Sequence, residues 1–478
     1  MATKFFTYKS LAEIAAAAEA TTQHVRFQSD KAAVQSALLR KAHAGSRTLG
    51  NSMAIHPMEG CDGTLDGRPD ELTWRRYSRF AKGGAKLIWF EATAVREDGR
   101  ANTRQLWITK ENRDDYARMI EMIRTQHAET FGTADDLLVP VQLTHSGRYS
   151  VPNRIIAYHN PHIDQKTNTP LSQPPISDDE LEILEDSYVD AAGLVLAAGF
   201  DAIDLKITHG YLLSELMGAK LRPGKYGGSI ENRTRFATNV IGKIKAKFGN
   251  KLYIASRLGC FDAVPYFKDE ATKIGVPAKF ETPYPFGFGV NPDNPLEEDL
   301  TDVKAAIALL KQSGLELLNV SIACPYYNPH FGRPFEKPDE GNYEMPEHPL
   351  TGVDRHFRIA GELQRAFPDL PMVGTGYSWL QKYAINAAAH NIESGAIQIF
   401  GLGRGSLSYP DFARDVAEKG ELDELRVCKT LTYCTYLMRQ KDNPLGQYPT
   451  GCPPFDKEGY GDIMKQARAA QRHSIQKA

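Results

Sequence analysis

The sequence predicts an α/β fold of the (β/α)8 barrel class, with an N-terminal extension and a C-terminal tail. Three observations predict it. From Asn51 onward, short apolar runs alternate with amphipathic helical patterns and supply eight strand candidates. Two long connections, 145–175 and 260–298, each follow the C-terminal end of a strand, the face on which barrels carry their sites. No GxGxxG run follows an early strand, which weakens the alternative of an open doubly wound sheet.

Residues 1–48 are Ala-rich and helical in pattern, and read as an extension ahead of the barrel. The strand candidates are 52–58, 85–93, 137–143, 202–207, 252–258, 315–321, 371–374 and 396–400. Helical periodicity fills the spaces between them at 113–126, 178–198, 232–247, 299–313, 354–367 and 378–389. The 260–298 connection contains ETPYPFGFGVNPDNP; its aromatic content favours an ordered lid over a structureless insert. The expected organisation is an extension over 1–48, a barrel over 49–420 and a tail over 421–478, which holds the last three cysteines.

The 478 residues carry 57 basic and 59 acidic side chains, a net charge of −2, with no long basic run, so nucleic acid is not the expected partner. Six scattered cysteines in a chain this long read as reduced thiols. The N-terminus lacks the apolar core of a secretory signal, and no apolar run reaches membrane-spanning length. A soluble cytoplasmic protein, outside the membrane, is the expectation; a homo-oligomer remains open.

The residues that carry chemistry sit at strand ends. The most informative stretch is 201–236, DAIDLKITHGYLLSELMGAKLRPGKYGGSIENRTRF, in which an apolar strand runs into Thr208, His209, Gly210 and Tyr211. Others are His56-Pro57-Met58-Glu59 after the first strand, Gln142-Leu143-Thr144-His145 with Gly147-Arg148 at the third, and Ser256-Arg257-Leu258 at the fifth. Gly374-Thr375-Gly376-Tyr377 and Gly401-Leu402-Gly403-Arg404 follow the last two. Gln142 offers both donor and acceptor to an amide-like ring edge, Arg257 a permanent positive charge, and the glycine loops with Arg404 a cradle for phosphate.

Taken in order, these motifs resemble the old yellow enzyme family of FMN-dependent ene-reductases, over about residues 49–416. The resemblance implies FMN as cofactor and NADH or NADPH as reductant. It places Pro57, Met58, Glu59, Ala92, Gln142 and Arg257 around the flavin ring, and Gly376, Tyr377, Gly401, Gly403 and Arg404 at its phosphate end. It also places His209 and Lys206 at the substrate's activating oxygen and Tyr211 as proton donor. Two positions depart from the family pattern. Lys206 stands where the family has its first histidine; an ammonium there suits an oxyanion, carboxylate or phenolate, or it lies turned away, or it blocks the pocket. Glu59 replaces the family's usual threonine or cysteine, and the simplest reading faces it toward another polar group.

Some relatives carry an iron–sulfur cluster on a C-x2-C-x3-C run after the barrel. Here Leu431 and Met438 occupy two of those positions beside Cys434, with Cys428 and Cys452 nearby. No cluster, no other metal and no FAD are expected. The resemblance thus implies hydride transfer from NAD(P)H through flavin to an activated C=C bond of a small-molecule substrate. Three alternatives stay open: oxidation or demethylation of a small molecule, a non-catalytic FMN-binding protein, and a flavin-free lyase using Lys206 as a Schiff base.

Overall fold

Nine strand segments pair in one parallel sheet, and the sheet closes on itself. The computed structural model describes residues 5–339, 341–440 and 443–477, with side chains to 472. Two segments, Leu87–Ile88 and Phe90–Ala94, are halves of one barrel strand interrupted at Trp89. The first half pairs with the strand before it and is bridged to Leu138, while the second pairs with the strand after it. This leaves eight barrel positions: β1 (Met53–Ile55), β2 (the two halves just named), β3 (Pro140–Thr144), β4 (Ala202–Ile207), β5 (Tyr253–Gly259), β6 (Leu317–Ser321), β7 (Met372–Gly374) and β8 (Ile399–Leu402). The (β/α)8 class expected from the alternation is the class observed.

Every strand is buried almost throughout because one face meets the barrel interior and the other the helices. The outer helices Arg113–Phe131, Asp178–Ala197, Ile230–Phe248, Thr301–Ser313 and Pro349–Ala366 lie where 3.6-residue periodicity places them, within a few residues at each end. Their ends carry local reasons. Ser177 and Glu180 form a capping box at one start, and Gly132, with φ +83°, ends the helix before β3. The stretch at 378–389 is a 3-10 segment, Tyr377–Tyr383, that kinks at Gln381 into the helix Ala384–Glu393.

The extension is only partly helical. Helices Leu11–Thr21 and Lys31–Leu39 are followed by a hairpin, Ala42–Ala44 with Arg47–Leu49. Ala42, Ala44 and Leu49 join Ala54, Leu138, Ala255 and Leu317 in a separate cluster that stops the bottom of the barrel. Both long connections are ordered. Arg148, fully buried, ties the first together through Asp164, Glu215 and the carbonyl of Tyr158. The second holds a small hairpin, Tyr266–Lys268 with Gly275–Pro277, and is anchored where the Phe288 amide donates to Asp262 at 2.8 Å.

Candidate active site

One cavity opens at the C-terminal face of the barrel, and every site residue singled out from the sequence lines it. The parallel register explains this. Gln142 sits beside Asp204, and Lys206 beside Arg257, on neighbouring strands, so a strand-end motif read along the chain becomes a ring in space.

The edge at β3, β4 and β5 is wired by a residue the sequence reading did not single out. Asp204, fully buried, accepts from the Trp89 indole (2.9 Å), the Gln142 amide (2.6 Å) and the backbone N–H of Arg257 (2.7 Å). Burial raises its pKa, and these donors together with the Arg257 charge oppose the rise. With its amide nitrogen turned to Asp204, Gln142 keeps its oxygen available as an acceptor. Burial lowers the Arg257 pKa to about 10, against the nearby Asp204 charge, and among the described residues its Nε has no hydrogen-bond partner.

The opposite end collects positive charge. Among the described residues, Arg404 Nη1 and Arg333 Nε, after β6, have no hydrogen-bond partner. Burial, then the charges of Arg404 and Arg439, lower Arg333 to about 9. Two guanidiniums that repel each other and hold unanswered N–H donors form a site for an anion such as a phosphate. The glycines serve different ends. Gly376 adopts φ +94°, a left-handed conformation, whereas a Cβ at Gly401 would meet the His56 ring at 2.3 Å. Close approach at 401 therefore makes room for a side chain. His56 is held neutral, its pKa pushed well down by burial and then by Arg257.

Beyond β4, the chain turns sharply. His209 and Gly210 both have positive φ, +67° and +71°, and His209 pays local strain to present its ring to the cavity. Burial, then Arg257 and Lys206, hold that imidazole neutral. Lys206, 4% exposed, places its ammonium 3.7 Å from the centre of the Tyr211 ring. Among the described residues it has no hydrogen-bond or ion-pair acceptor. Burial lowers its pKa to about 8, with the Glu59 charge opposing. The Tyr211 hydroxyl donates to Glu59 at 3.3 Å and lies 3.4 Å from the Tyr326 hydroxyl. Glu59 faces this tyrosine and Asn102, whose amide donates to it at 2.8 Å. Lys206 therefore points into the cavity, which removes the turned-away arrangement.

The tail also builds the site. Cys434, Thr435, Met438 and Arg439, on or beside the helix Tyr433–Arg439, line the cavity together with Thr450. Arg439 fixes this wall through Asp339 and the Pro325 carbonyl, and Arg333 reaches Thr435. No local motif reveals such a wall; Arg333 lies well beyond β6, directly after the short helix Pro329–Gly332, where the sequence carries no site signal. Among the described residues, no group of three or more His, Cys, Asp and Glu is placed to hold a metal ion.

The model of the NADH:flavin oxidoreductase / NADH oxidase family matches residues 42–279, from the basal hairpin through β5 and part-way along the second long connection. The chain belongs to this family. It is accordingly an FMN-dependent NAD(P)H oxidoreductase of old yellow enzyme kind. It is 29% identical over 292 residues to an NADPH dehydrogenase of Geobacillus sp. (strain WCH70), covering 56% of this chain and 82% of that one. It is 30% identical over 236 residues to an NADPH dehydrogenase of Bacillus pumilus (strain SAFR-032), covering 48% and 65%. Among solved structures, a 2-naphthoyl-CoA reductase complex superposes with TM-score 0.66 at 15% identity, over 89% of this chain and 58% of that one. The old yellow enzyme homologue from Zymomonas mobilis does so with TM-score 0.59 at 18%, over 87% and 98%. These two likenesses concern the fold. The old yellow enzyme cofactor fits the residues present: Gln142 and Arg257 answer a flavin edge, and Arg404 with Arg333 answers its phosphate.

Proposed function

We propose that this flavoenzyme reduces activated C=C bonds, with NADPH as the donor and Tyr211 as the proton source. The observation that carries the reading is the set of groups around Tyr211: a phenol facing the cavity, with an ammonium on its ring and a carboxyl at its hydroxyl. Bound FMN supplies a hydride for the alkene's β-carbon. Lys206 and the neutral His209 bind the oxygen of the conjugated carbonyl or carboxylate and hold the negative charge that develops there. Tyr211 protonates the α-carbon, and the Lys206 charge favours the phenolate left behind. Arg257 holds negative charge at the ring edge, and Arg404 and Arg333 hold the phosphate. Pro57, Met58 and Ala92 pack along the ring, while Gly376, Tyr377, Gly401 and Gly403 shape its phosphate end. The relatives named NADPH dehydrogenase support the choice of donor.

The surplus ammonium favours substrates that carry a negative oxygen, enoates above neutral enones. The test is anaerobic reduction of matched pairs, an unsaturated carboxylate and its amide or methyl ketone, by NADPH-reduced enzyme. Saturated product with preference for the carboxylate supports the reading. No reduction of either, with oxidation of an amine panel instead, overturns it.

A further inference from the structure

We propose that Glu59 is a positioning residue for Tyr211 that also stores its replacement proton, orienting the phenol and re-protonating it after each turnover. This rests on the assignment of Tyr211 as proton donor above. A phenol that gives up a proton must regain one before the next cycle, and a proton-carrying group in contact with the phenol oxygen returns it by the shortest path. Among the described residues, two side chains touch that oxygen. Tyr326, at 3.4 Å, is another phenol, and passing its proton on would only move the deficit to a second phenolate that must itself be re-protonated. Glu59, at 3.3 Å, is a carboxyl.

The surroundings of Glu59 suit a proton that comes and goes. Its second oxygen accepts from Asn102, which fixes the carboxyl plane. The backbone behind it is clamped, because Gly60 donates to Glu91 at 2.7 Å and the buried Arg76 binds both Glu91 and Asp62. The ionisable groups facing it are Lys206 from β4, Tyr211 from the turn after β4, Tyr326 from the loop after β6, and Cys61 and Asp62 from its own segment. Burial raises the Glu59 pKa, which keeps a proton available, while the Lys206 charge limits the rise and holds the carboxylate once the proton has left. The step balances. The Tyr211 O–H bond breaks as the substrate C–H bond forms; the Glu59 O–H bond breaks as the phenol re-forms; water returns a proton to the carboxylate. No oxidant or further reagent is needed.

Glu59 acts through Tyr211, so the two must be coupled. The experiment compares FMN-loaded wild type, E59Q, Y211F and the double variant in the reaction of pre-reduced enzyme with an enoate, over several turnovers and across pH. The expected result is that E59Q slows repeated turnover about tenfold or more in the wild-type background and adds no further loss to Y211F. Wild type should lose rate as pH rises through the Glu59 ionisation, and E59Q should lose that limb. Infrared spectra of the FMN-free protein should show a protonated-carboxyl band that E59Q removes. Equal factors in both backgrounds, or no such band, overturn the proposal. If all four proteins are equally inactive with enoates while the band is present, the assignment of the reaction has failed, and the proton store falls with it.

Discussion

Asp204 and Lys206 lie two residues apart on β4, and their environments are opposite. Asp204 is a buried charge answered by an indole, an amide and a backbone N–H. Lys206 is a buried charge set over the face of the Tyr211 phenol, with no acceptor among the described residues. A buried charge costs stability unless paired, so the first arrangement is complete as it stands and the second is completed by a ligand. On the proposed reading, the flavin edge is built in advance and the substrate edge is left charged. Perturbed, incompletely paired groups in a cleft mark function more than structure.

The comparison can be broken from either side, and Tyr211 gives the largest effect. Y211F removes the proton donor without changing the packing, and C=C reduction should fall about 100- to 10,000-fold in single-turnover kinetics. A fall of less than threefold contradicts its role. Next comes the phosphate end: R404M should weaken FMN binding about 10- to 100-fold by fluorescence titration, since it removes a charge-assisted donor set. The flavin edge itself is tested by D204N, which leaves two buried donors poorly answered. It should cost about 1–3 kcal/mol of unfolding free energy and should loosen FMN through Gln142; unchanged thermal stability would show that the edge is not prewired by Asp204.

The smallest effect concerns the ammonium. With a Lys206 pKa of about 8, the cation is present below that value and is lost as pH rises through it. Binding of a permanently charged carboxylate ligand should therefore weaken from pH 7 to pH 9 by about tenfold at most, in wild type but not in K206M. Neutral ligands should show no such trend. A flat profile in wild type places the ligand away from Lys206.

The barrel and the convergence of its strand-end motifs were legible because both follow from the alternation of strands and helices. Strand ends in a parallel barrel face one way, so the motifs at Gln142, Lys206, Arg257 and Gly401 converge once the alternation is read. Asp204 escaped notice because alternate residues of a buried strand read as uniform core, and a carboxylate there gives no sign of which neighbour answers it. Glu59 was legible as a departure, and its partner was not: Tyr211 is 152 positions away. The tail wall depends on contacts such as Arg439 with Asp339 and Thr450 with Gly60, separated by 100 positions and more, which periodicity does not encode. The cysteines there were readable only as a comparison with relatives.

The account's central claim is that this cavity holds FMN and passes electrons from NADPH to an alkene. The most direct test is the visible spectrum of the FMN-loaded protein during anaerobic NADPH titration, followed by addition of an enoate. The account predicts flavin absorbance that bleaches with NADPH and returns with the enoate as saturated product accumulates. A protein that takes up no FMN, or whose bleached flavin is unaffected by any unsaturated acceptor, contradicts it.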